Sequence, residues 1–98
     1  MRRPLVIRRI VGGSMLPTLP ENRLIIGTGL YKRLSKNDLV IFEHGGIDKI
    51  KRIKDLRKDE LYVLGDNEIG STDSRSFGWL PLGTIKAKVI WPVKSKSI

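Results

Sequence analysis

An all-β fold is what the sequence predicts, on three observations. Its apolar segments are short, about four to eight residues, and rich in Val, Ile and Leu. Gly, Pro, Asn and Asp punctuate them at close intervals, and two of the gaps, "HGG" at 44–46 and "RKDE" at 57–60, have the length and composition of hairpin turns. The first strand runs from Leu5 to Val11 and stops at Gly12-Gly13. The second, Arg23 to Gly27, starts after Pro20 and Asn22. A third over Leu39 to Glu43 and a fourth over Ile47 to Ile53 flank the first turn, and Leu61 to Leu64 follows the second. Thr84 to Val93 closes the chain's regular structure. From Gly65 to about Pro81 the sequence is polar and has no period, and such long loops in small domains are usually functional or disordered. One segment is ambiguous: Ile47, Ile50, Ile53 and Leu56 recur every third residue, which suits a helical face better than a strand. The glycine pair before it and the short apolar runs around it tilt the reading to strand.

The 98 residues suit a single domain, 1–98, with one core. There is no cysteine, so disulfide scaffolds and thiolate metal sites are excluded; no metal and no cofactor is expected. No run approaches the ~18 apolar residues of a membrane span. The basic start does not read as a signal peptide, because Arg8 and Arg9 interrupt the apolar run after Ile7. The expected location is cytoplasmic, with peripheral attachment to a membrane left open. Nineteen Lys and Arg against ten Asp and Glu, a net charge of +9, favour anionic partners: nucleic acid, a phospholipid surface or an acidic protein. With two each of Trp, Tyr and Phe, a base-stacking platform is poorly supported, and no specific nucleic acid is expected.

The stretch "GGSMLPTLP", 12–20, places a serine in a constrained bend. Gly12 and Gly13 permit positive φ or a close approach, Pro17 pushes Leu16 toward an extended conformation, and Pro20 stiffens the exit. It is not a P-loop, since the Gly-Lys-Ser/Thr ending is missing. A serine hydroxyl becomes a nucleophile only when a base takes its proton. The single histidine, His44, lies in a turn and reads as a surface residue, although a Ser-His-Asp triad stays possible in principle. Lysine is the other candidate. At its ordinary pKa near 10.4, only about one lysine in 2,500 is neutral at pH 7, so burial and neighbouring positive charge must lower it. Lys51, between Ile50 and Ile53 with Lys49, Arg52 and Lys54 nearby, sits in such material; a basic edge strand is the plainer alternative.

The polar segment "LGDNEIGSTDSRSFGWLP", 64–81, is not an EF-hand, since reading Asp66 as its first position puts Gly70 at the fifth place. Asp66, Asp73 and Arg75 suggest an internal ion-pair network, and Ser71 and Ser74 are free to orient an amine.

Taken in order, Ser14 to Thr18 ("SMLPT"), Ile50 to Ile53 ("IKRI"), and Gly65 to Asn67 with Ser71 to Arg75 ("GDN…STDSR") resemble the three motifs of the type I signal peptidases, Ser-Lys endopeptidases of the S26 group. "NRLIIG" and "KNDLVIF" add weaker similarity, and the resemblance runs from about Val11 to Pro92. It implies coiled antiparallel β-sheets of the kind shared with the SOS-repressor peptidases, and a strand over 47–56. It further implies Ser14 as nucleophile, Lys51 as general base and Ser71 as a hydrogen-bonding support for the lysine. Gly12 and Gly13 would shape the oxyanion site around the Ser14 N–H, and Met15 would contact substrate. Arg52, Asp66, Asn67, Asp73, Ser74 and Arg75 would form a structural network. The implied partner is a precursor protein, bound as an extended peptide and relieved of a signal peptide or propeptide.

Family members usually carry one or two spanning helices and often a large insertion in the catalytic core. Neither is found in this sequence, which is similar to the short branch that includes nickel-type superoxide dismutase maturation proteases. Where some members place a serine two residues before the nucleophile this chain has Gly12, so backbone donors are expected there, with water as the one possible addition. A basic β-domain that binds nucleic acid or anionic membrane without catalysis is the alternative reading.

Overall fold

In a computed structural model, which describes residues 3–67, 69 and 72–92, the chain forms one seven-stranded antiparallel sheet. Strands β1 (Val6–Arg9), β2 (Leu24–Thr28), β3 (Leu39–His44), β4 (Ile47–Leu56), β5 (Glu60–Leu64), β6 (Leu80–Pro81) and β7 (Ile85–Trp91) lie in the spatial order 1-2-7-3-4-5-6. The all-β expectation therefore holds, and all six expected strands are present, with ends shifted by a few residues. The sixth ends at Trp91; Val93 lies outside the described residues.

Strand β3 is the centre of the sheet, and "LVIF" is buried on both faces. Leu39 and Ile41 point into one apolar cluster with Val6, Met15, Leu19 and Ile25. Val40 and Phe42 point into a second with Ile53, Leu61, Val63 and Ile85. A strand with cores on both sides reads as a continuous apolar run rather than an alternation.

The same two cores explain the three-residue period on β4. Ile50 packs against the first cluster and Ile53 sits in the second, as an odd separation along a strand requires. The pairing register then slips between Ile53 and Asp55, so that Lys54 is the extra residue of a bulge and Leu56 returns to the face of Ile53. A second slip, opposite Ile41 and Phe42, makes Lys86 the extra residue on β7 and turns Ile85 to the opposite face from Ala87.

Both expected hairpins form. Gly45 and Gly46 adopt φ of 63° and 79° in the β3–β4 turn, values that two-residue hairpin loops demand and that side chains resist. Arg57 N–H bonds Glu60 O across the β4–β5 turn. His44 is not in the turn itself but ends β3, half-buried and stacked on Phe77 at 4.2 Å between ring centroids.

The segment read as irregular contains one helical turn, α1 (Ser74–Phe77). Asp73 caps it by accepting from Arg75 N–H, and Gly78 at φ 80° closes it. The two-residue strand β6 follows, too short and too proline-bound to read as a strand, and it lies at the sheet edge, where proline costs no ladder bond.

Candidate active site

Ser14 rides on a loop that leaves the sheet through a narrow neck. Ile10 N–H donates to Arg23 O at 2.9 Å and Asn22 N–H to Ile10 O at 2.8 Å, so that residues 11–21 project as one unit. Met15 and Leu19, each about 1% exposed, drive the unit into the first core, and Leu19 N–H bonds Met15 O between them. Gly12 adopts φ 81° and needs glycine for it; Gly13 does not adopt positive φ. The Leu16–Pro17 bond is cis. Held this way, Ser14 is half-buried.

A clamp from the distant polar segment fixes the loop. Asn67 donates its backbone N–H to Ser14 O at 2.8 Å and its side-chain Nδ2 to Gly13 O at 2.9 Å. The Ser14 N–H itself donates to nothing among the described residues.

Lys51 comes from β4, opposite Val40 of β3, and is 4% exposed. Burial is the main force holding its pKa below the ordinary lysine value; the carboxylate of Asp73 opposes this, and the positive charges of Lys49 and Arg75 add to it. The charge contribution therefore differs from the sequence expectation. Arg52 and Lys54 neighbour Lys51 in sequence but not in effect, because adjacent residues on a strand face opposite ways and Lys54 sits in the bulge.

Arg52 instead reaches β5's exit. Its Nε and one terminal nitrogen form a two-point pair with Asp66, both bonds at 2.8 Å, and its other nitrogen donates to Asn37 O. Asp73 is fully buried and accepts from Gly65 N–H and from the Arg75 guanidinium. Ser74 Oγ accepts from Val63 N–H at 2.8 Å, which ties it to the β5 backbone. Asp66, Asn67, Asp73, Ser74 and Arg75 thus tie the polar segment to β4, β5 and the serine loop. Ser71 lies outside the described residues.

Ser14 and Lys51 line one cavity of about 390 Å³, between the loop that follows β1 and the first half of β4. Gly12, Gly13 and Met15 line it as well. A bridge across it joins the two walls: Arg8 Nε donates to Asp48 Oδ2 at 2.7 Å, and Lys86 Nζ takes Asp48 Oδ1 at 2.7 Å. Sequence reasoning missed this bridge, as it missed Thr72, the other side-chain hydroxyl besides Ser14 among the described lining residues. Only the position of Thr72 beside Asp73 in the polar segment could have suggested it.

The family model described as signal peptidase, peptidase S26, matches residues 47–94. The chain belongs to that family. The match takes in Lys51, Arg52 and the polar segment and begins after Ser14, so the serine loop lies outside it. Membership makes the chain a serine peptidase and its substrate a protein. No curated protein matches the chain. No helix among the described residues is long and apolar enough to cross a membrane.

Proposed function

We propose that this S26 peptidase is a Ser-Lys endopeptidase, with Ser14 as nucleophile and Lys51 as general base. The observation that carries the reading is the shared cavity, in which a buried lysine held toward its neutral form lines the same space as a half-buried serine. Neutral Lys51 takes the Ser14 Oγ proton, and the oxygen attacks the peptide carbonyl carbon. The resulting oxyanion is received by the Ser14 N–H, which has no partner among the described residues. Collapse breaks the C–N bond, the Lys51 ammonium returns its proton to the leaving amine, and an acyl-enzyme remains. Lys51 then deprotonates the water that hydrolyses it.

An extended substrate has a place to lie. Before Arg52, β4 pairs with β3 on one side, and its pairing with β5 begins only at Arg52–Leu64. The edge along 47–51 borders the cavity and can take a peptide as an added strand. Met15, buried in the first core, backs the wall against which such a peptide would lie. We assign the substrate to the class of precursor proteins that lose a signal peptide or propeptide; a nickel superoxide dismutase precursor in the cytoplasm is the specific candidate that the similarity of motifs and of "IWPVK" (90–94) suggests.

The test is cleavage of a candidate precursor by the parent chain and by Ser14→Ala and Lys51→Met variants whose folds are checked by circular dichroism. Loss of cleavage in both supports the dyad. Parent-level cleavage by either folded variant removes it, and salt-sensitive binding of mixed-sequence nucleic acid or anionic vesicles without any proteolysis would favour a binding domain.

A further inference from the structure

We infer that the cleft selects peptides carrying an Asp or Glu side chain close to the cleaved bond, with Lys49 and Arg9 as the residues that receive the carboxylate. The inference rests on reading the cavity as the peptide site. Its walls carry four basic residues, Arg8, Arg9, Lys49 and Lys51, and one acidic residue, Asp48. Asp48 is fully used: Arg8 and Lys86 each hold one of its oxygens, which also balances Arg8. Lys51 is held toward its neutral form. Lys49 and Arg9 remain as cations without a carboxylate partner among the described residues.

Each is positioned by groups other than carboxylates. Lys49 Nζ lies 3.3 Å from His44 Nδ1 and 5.8 Å from the centroid of the Phe77 ring, and an Arg9 terminal nitrogen donates to Asn22 O at 2.8 Å. Such contacts orient a cation without cancelling its charge. A cleft that holds two uncancelled cations concentrates positive potential, and a peptide that displaces water from it strengthens any pairing it makes there. Lys49 and Lys51 alternate with Ile50 on β4 and so share a face, about 7 Å apart along the strand. A peptide running along this edge, with its reacting carbonyl between Ser14 and Lys51, therefore brings a side chain about two residues away to Lys49.

The test uses the folded Ser14→Ala chain and fluorescent alanine-rich decapeptides, each with a single Glu or the matching Gln at successive positions, in 150 mM salt. Binding about 5- to 20-fold tighter for Glu than for Gln is expected at one or two positions only. Lys49→Met and, separately, Arg9→Gln should each shrink that ratio, whereas Lys58→Met, in the distant β4–β5 turn, should leave it intact. A Glu preference equal at all positions and unchanged by Lys49→Met and Arg9→Gln would assign the effect to bulk charge and overturn the inference, as would no preference or no binding. Cleavage of the same peptides by the parent chain is read separately: a position-specific Glu preference without cleavage would remove the peptidase mechanism and leave the acidic-peptide cleft standing.

Discussion

Asn67 holds Ser14 from 53 positions further along the chain, through its own N–H to the serine carbonyl and its side chain to the carbonyl of Gly13. Both carbonyls are thereby turned toward Asn67, which leaves the Ser14 N–H facing away with no partner among the described residues. The geometry of the proposed oxyanion site thus depends on a residue outside the serine loop.

Truncating that side chain should harm activity more than stability. Asn67→Ala keeps the backbone bond and loses two side-chain hydrogen bonds, the part-buried one to Gly13 O and an exposed one from Ile69 N–H, together about 1–2 kcal/mol of stability. A loosened nucleophile loop should lower kcat/KM about 10- to 100-fold, since small misplacements are costly in a reacting pair. Asn67→Asp, which keeps the shape but lacks the donor, should resemble the alanine variant. Kinetics and thermal melts of both would check this; parent-like kcat/KM in Asn67→Ala would mean the clamp is irrelevant to the site.

The buried amine of Lys51 links activity and stability to pH in the same direction. Its folded pKa lies below the unfolded value of about 10.5, so between those two values the unfolded chain binds more protons and stability contributed by this group rises with pH. The rate should rise over the pH range in which folded Lys51 loses its proton. Lys51→Met should lose about 10²- to 10⁴-fold in rate yet be more stable than the parent at neutral pH, with the gap narrowing toward pH 10. Denaturant melts at several pH values would show it, and a pH-independent rate between 6 and 10 would count against a lysine base.

Asp73 should affect both quantities in opposite senses. Its carboxylate raises the Lys51 pKa, so Asp73→Asn should move the rate profile to lower pH. Stability should fall by about 1–3 kcal/mol, because the amide keeps one acceptor oxygen where the carboxylate has two, so either the buried Gly65 N–H or the capped Arg75 N–H loses its partner; the lost Arg75 ion pair adds less, since that side chain is 44% exposed. An unshifted profile in a folded variant would separate Asp73 from the lysine.

Gly27 is a packing glycine rather than a turn glycine. An added Cβ would stand 3.1 Å from both Ala87 Cβ and the Lys88 carbonyl oxygen and 3.2 Å from Ile41 Cδ1. Gly27→Ala should cost about 1–3 kcal/mol by overpacking and lower the melting temperature, while Gly83→Ala, with open space around it, should cost far less.

What the sequence by itself determined is six of the seven strands, both hairpins and three motifs that resemble those of the family, because apolar runs, turn glycines and short motifs are local quantities. Its apolar period alone left β4 undecided, with the glycine pair and the resemblance tilting the reading to strand, since the alternation that would reveal a strand is scrambled where both faces are buried and a bulge adds a residue; the cores around Ile50 and Ile53 account for it. The capped turn over 74–77 was written in "DSRSFG" but overshadowed by the loop's length. Only the folded chain decided which charges surround Lys51, that Asn67 grips the Ser14 loop, and that Arg8 and Lys86 consume Asp48. Those relationships join residues that are far apart in the chain, and their energies depend on distance and burial, which the order of residues does not state.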